Sequence, residues 1–147
     1  MSHRAVLVVA VIAVAMAMGC VAVAPEVAAR DAALKAFPQP AADKAALYVF
    51  RSGFVGHTMK KKVYVDGVLL GEMANETYCY RELAPGPHEL ATESEFGRNK
   101  ITFQAAGGTS HFAEQYMKVG VFETGANVRM VSAEDGMKGV RGCQLVQ

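Results

Sequence analysis

Val63 to Glu72 reads V-Y-V-D-G-V-L-L-G-E, and a second punctuated stretch, L-A-P-G-P-H-E-L, follows at Leu83 to Leu90. Two apolar arms meet at Asp66-Gly67. An Asp-Gly pair between such arms is the strongest short-range hairpin cue, because a primed turn needs positive φ at both central positions. Val63 and Val65 then share one face of the arm, while Tyr64 takes the other. The task of Asp66 and Gly67 is register. Gly71 admits a bulge or a close strand approach. Pro85 and Gly86 set the next corner. His88, just after that corner, reads as a structural histidine, hydrogen-bonded or exposed.

Outward from this hairpin the pattern stays β. Ala45 to Arg51, A-A-L-Y-V-F-R, is branched and aromatic. Further strands are expected at Thr77 to Leu83, His88 to Glu93, Lys100 to Ala105 and His111 to Val119. Short ones follow at Val128 to Val131 and Cys143 to Val146. Turns every eight to twelve residues predict an all-β fold, an antiparallel β-sandwich of about seven to eight strands over residues 42–147. Ser132 can cap one helical turn over Ala133 to Lys138, although Gly136 and Gly139 weaken it. Gly53 to His57 and Gly97 to Asn99 read as mobile binding loops. Tyr78, Tyr80, Phe112, Tyr116 and Phe122 read as core and cross-strand packing rather than a recognition surface.

Upstream, residues 1–19 have the anatomy of a signal peptide. Arg4 supplies the basic start and Ala5 to Met18 the apolar core. A-M-G-C, Ala17 to Cys20, resembles a bacterial lipobox. The resemblance implies cleavage after Gly19 and diacylglyceryl modification of Cys20, whose sulfur forms the thioether. Ala17 departs from the usual leucine. Cleavage after A-M-A, Ala15 to Ala17, would give a soluble periplasmic protein, and an uncleaved apolar run to Ala24 would just span a bilayer. Val21 carries no acidic retention signal, which favours the outer membrane. Residues 20–41 read as a tether: a short helix over Pro25 to Phe37, then Pro38-Gln39-Pro40.

The run Y-V-D-G-x-x-x-G, Tyr64 to Gly71, with L-x-P-G-x-H, Leu83 to His88, resembles the PEGA-type sandwich repeat. A-L-Y-V-F-R, P-G-x-H, M-K-V-G-V-F at Met117 to Phe122 and the near-terminal C-Q-L extend the likeness. Over Ala45 to Leu145 the chain resembles a bacterial lipoprotein family classed as a domain of unknown function. The resemblance implies a prealbumin-like or carboxypeptidase-regulatory-like sandwich and supplies no catalytic residues.

Composition narrows the classes of function. A net charge of +1 over 147 residues gives no electrostatic reason to bind nucleic acid. Lys60-Lys61-Lys62 reads as a solvated strand edge. In an oxidising compartment Cys79 and Cys143 invite a disulfide worth up to ~4 kcal/mol; two buried thiols are the alternative. Cys79 as a nucleophile with His88 or His111 lacks any family signature. His57, His88 and His111 lack paired metal-ligand spacing, and Glu134-Asp135-Gly136 reads as an acidic turn rather than a calcium loop. No cofactor or metal is expected. The expected protein is a non-enzymatic, lipid-anchored module of the bacterial envelope, at the outer membrane facing the periplasm. Its partners would be the membrane, through Cys20, and an envelope protein or polysaccharide. The alternative is a small thiol-dependent enzyme or hydrolase using Cys79 with a histidine.

Overall fold

A computed structural model of the chain describes residues 24–53, 55–94, 96–120 and 124–146. The expected signal segment (residues 1–19), Cys20 and Phe122 lie outside these. In chain order the elements are α1 (Pro25–Lys35), β1 (Ala45–Arg51), β2 (Lys61–Val65), β3 (Val68–Met73), β4 (Thr77–Leu83) and β5 (Gly86–Ser94). They continue with β6 (Gly97–Ala105), β7 (Ser110–Lys118), β8 (Gly125–Val131), α2 (Ala133–Arg141) and β9 (Gln144–Leu145). The strands form two sheets. One has the order β8-β7-β1-β4-β9, the other β3-β2-β5-β6. At the β2–β3 turn, Asp66 and Gly67 have φ of 51° and 78°, and a register shift between Val63 and Tyr64 leaves Leu70 as the extra residue of a bulge in β3, beside Gly71.

The β-sandwich is mainly antiparallel, the architecture the sequence led us to expect, but two of its pairings are parallel. β1 pairs with β7 in parallel, and so do β4 and β9. The chain path requires the first of these. β6 ends opposite Gly86, the chain crosses back through Ala106–Thr109, and β7 enters beside the start of β1, with Ser110 opposite Ala46. It can then only run the same way as β1.

Every residue of β1 is buried. Leu47 and Val49 face the second sheet and meet Val63, Val65, Met73, Leu90 and Ala113. Ala46, Tyr48 and Phe50 face the other way, into a cluster with Tyr78, Phe112 and Val140. Tyr48 is its centre, with ring centroids 5.0 Å from Tyr80, 5.1 Å from Phe112 and 5.5 Å from Phe37. Burying a side chain of this size contributes ~1.5–3 kcal/mol. Both faces of the five-stranded sheet therefore need cover.

The two helices supply it on the outer face. α2 runs the full span Ala133–Arg141, longer than the single turn its glycines suggested. Those glycines are what let it dock: a Cβ on Gly136 would lie 2.2 Å from Phe112, and one on Gly139 2.2 Å from the Phe50 ring. Ser132 caps the helix, accepting a bond from the Asp135 amide. The end of α1 belongs to the same layer. Leu34 is buried, its carbonyl accepts a 3.1 Å bond from the Tyr48 hydroxyl, and Phe37 packs on Tyr48 and Phe112. The amide of Gly108 reaches back to the carbonyls of Ala41 and Lys44. The chain around residue 42 is thus bonded to the sandwich, and only the first half of α1 is mostly exposed.

Gly139→Ala should lose ~1–3 kcal/mol of stability through overpacking, although alanine is worth ~1 kcal/mol more than glycine in a helix interior. Urea unfolding measures the loss, and adding Phe50→Leu should recover part of it.

Candidate functional site

The strand ends define two poles of the sandwich. One, the turn pole, gathers the β2–β3, β4–β5 and β6–β7 turns. There Asp66 does more than make a turn. Its carboxylate accepts from the Glu89 amide at 2.9 Å and meets His88 Nδ1 at 2.7 Å, while His88 Nε2 lies 2.8 Å from the Ala84 carbonyl. Both ring nitrogens face acceptors, so the ring satisfies both as an imidazolium. Desolvation opposes that charge, but the bonds to Asp66 and Ala84 prevail and raise the His88 pKa above its ordinary 6.5. For Asp66, desolvation is likewise outweighed, by the Glu89 amide and His88, and its pKa falls below 3.8. The histidine binds the second punctuated stretch to the first. His111 is occupied elsewhere, accepting from the Ala106 amide at 2.9 Å.

The cysteines stand on opposite faces of one sheet and do not form the disulfide that an oxidising compartment would invite. Cys79 lies in the inter-sheet core with its sulfur 3.1 Å from Met73 Sδ, and Cys143 lies in the outer cluster, 3.5 Å from the Arg51 carbonyl. Both thiols are free and buried. Burial pushes the Cys79 pKa up to about 12 and that of Cys143 to about 11, away from the reactive thiolate. Gly71 leaves room for this sulfur, since a Cβ there would sit 2.5 Å from Cys79 Sγ. His88 and His111, the histidines considered as its base, bond instead to Asp66 and Ala84 and to the Ala106 amide. Among the described residues no group of three or more His, Cys, Asp or Glu is placed to hold a metal.

The other, loop pole gathers the β1–β2, β3–β4, β5–β6 and β7–β8 connections. Buried Arg51 organises it, donating to the Met59 carbonyl at 2.8 Å, to Met73 at 3.1 Å and to Gly56. Desolvation lowers its pKa, and the carbonyls take the place of a counter-charge. The β1–β2 loop, expected to be mobile, is thus tied at Gly56 and Met59. Lys61 was expected at a solvated edge but turns inward beside Val63 and is buried.

The outer face of the five-stranded sheet stays open at this pole, beside α2. The groove there, 820 Å³ in volume, is floored by Phe50 and Val131 and edged by Glu76, Glu114, Arg129, Asp135 and Lys138. Arg129 binds Glu114 through Nε at 2.9 Å and Nη2 at 2.6 Å, and its guanidinium lies 5.1 Å from the Tyr116 ring centroid. The carboxylate of Glu114 raises the Arg129 pKa. Sequence reasoning missed this pair and Arg51. The Glu114–Arg129 contact comes from β7–β8 register, which no local signal supplies.

A two-sheet β body with a helical layer on one face, and a mixed-charge groove beside one helix, is the class of protein that this geometry defines. The family described as "Protein of unknown function (DUF2846)" matches residues 41–126. A protein from Haemophilus influenzae (strain ATCC 51907 / DSM 11121 / KW20 / Rd), described as "Uncharacterized protein", is 34% identical over 131 residues, 88% of this chain and 78% of that one. The chain belongs to this family. No solved structure matches it.

The His88–Asp66 pair gives stability a pH dependence of known sign. The raised histidine contributes fully below about pH 6.5 and loses that contribution as pH climbs through its folded value. The depressed aspartate contributes above about pH 3.8 and fails as pH falls through its folded value. Stability from the pair should peak between those limits. Because Asp66 is half-exposed, His88→Gln should cost no more than ~1 kcal/mol there and should flatten the alkaline limb in a pH series of urea midpoints.

Proposed function

We propose that the protein is a lipid-anchored module of the bacterial envelope, at the outer membrane facing the periplasm, that binds a component of that compartment without transforming it. The observation that carries the binding reading is the groove beside α2. Its charged rim is held on rigid elements: Glu114 and Arg129 on adjacent strands, Lys138 on a helix seated by two glycines. Apolar floor and charges of both signs suit a short segment of an envelope protein or polysaccharide, with Arg129 and Glu114 able to exchange their mutual bonds for bonds to it. Support for anchoring is the A-M-G-C stretch ending at Cys20. No helix among the described residues is long and apolar enough to cross a membrane.

Two measurements test the halves separately. Mass spectrometry of the mature N-terminal peptide should find a diacylglyceryl group on Cys20; an unmodified peptide beginning at Met18 contradicts anchoring. A photo-crosslinking residue at position 138 in intact envelopes should give a discrete adduct. That adduct should be lost on Arg129→Glu and absent with the crosslinker at position 68. No adduct at 138, or equal adducts at both positions, contradicts the groove.

A further inference from the structure

The loop pole carries a second feature that the groove does not use. Val55, Phe96 and Val119 expose 55%, 76% and 84% of their surface, unusual values for large apolar side chains. They come from three different connections, β1–β2, β5–β6 and β7–β8, and the fold brings those connections to one end. β1 and β7 are parallel, so their C-terminal ends coincide, and a Cβ on Gly56 would lie 3.0 Å from the Met117 side chain. Phe96 and Val119 line one cleft of 350 Å³. Arg51 holds the loop bearing Val55, so that tip is presented on a fixed base.

With the lipid proposed above on Cys20, a bilayer lies within reach of this pole. Four peptide links separate Cys20 from Ala24, at most ~14 Å when extended. The eleven residues of α1 add ~16 Å. The sum is about the length of the longest strands, nine residues at ~3.3 Å each. A body on so short a leash is confined to the membrane surface at high effective concentration. Among the described residues at this end, Lys60, Lys62, Arg98 and Lys118 nearly balance Glu72, Glu76 and Glu93. Apolar burial is therefore the available attraction.

We infer that the loop pole is a membrane-contact surface, in which Val55, Phe96 and Val119 enter the headgroup–acyl boundary of the bilayer that holds the N-terminus. Separated apolar tips on a fixed base suit a fluid acyl region, which fills the cleft between them. The contact fixes the orientation of the body and turns the groove beside α2 toward the surface. The inference rests on the anchored reading above.

The chain contains no tryptophan, so one introduced residue reports its own surroundings. Full-length, processed Val119→Trp and Val68→Trp proteins (Val68 is 60% exposed at the opposite pole) are reconstituted in phosphatidylethanolamine–phosphatidylglycerol vesicles with brominated acyl chains. The expected result is blue-shifted, quenched emission from position 119 and neither effect at 68. Adding Val55→Ser and Phe96→Ser should abolish the shift, and high salt should leave it unchanged. Floating vesicles that carry the protein, with the indole at position 119 as solvated as the one at 68, overturn the inference and leave the anchor standing. Failure to float overturns both. A blue shift at 119 without vesicles assigns the patch to protein contact and also overturns it.

Discussion

β1 has no solvent face, and the rest of the molecule follows from that constraint. A strand reading A-A-L-Y-V-F-R places small and aliphatic residues on one side and Ala, Tyr and Phe on the other. Both rows are apolar, so two layers must come to it. The β2–β3 and β5–β6 hairpins form one, and α1 with α2 the other. Continuous apolar strands of this kind usually mark sheets covered on both faces. Here the covered strand is flanked by a parallel neighbour on one side and an antiparallel one on the other.

From this centre the two poles acquire different characters. Beyond the Ala45 end, Asp66 and His88 draw the turns together with short, charge-assisted bonds, and the amide of Gly108 fastens the N-terminal approach. Beyond the Arg51 end the loops are organised by buried polar groups rather than by surface pairs. Gln115 donates to Thr92 at 2.7 Å and Thr92 to the Lys62 carbonyl at 2.9 Å, bonding the sheets across the core, while Arg51 grips the first loop. The helices cover the outer face incompletely at that end. Groove and apolar tips consequently share one pole.

Much of the β framework was legible in the chain because its signals are local. Asp66-Gly67, the alternation about it and the Pro85-Gly86 corner each act within a few residues. What escaped depends on partners far apart in sequence. Gly136 and Gly139 look like helix breakers until Phe112 and Phe50 lie beneath them. Cys79 and Cys143 look like a pair until the sheet separates their faces. His88 is hydrogen-bonded, one of the two states expected after the Pro85-Gly86 corner, but its partner Asp66 sits 22 residues away, across a strand pairing that spacing alone does not give. The groove pair Glu114–Arg129 was hidden for the same reason: cross-strand neighbours follow from register, and register follows from the whole sheet.

Amide hydrogen exchange resolved by residue tests the central claim most directly. If β1 is the doubly covered strand between β7 and β4, the amides of Leu47 to Phe50 should exchange only through global unfolding and tie for the highest protection in the chain. The β5–β6 hairpin, whose outer face is solvated, should open at lower free energy near its tip. Protection in β1 that falls below that of the hairpin would mean that the outer layer does not cover this strand, and the architecture described here would be wrong.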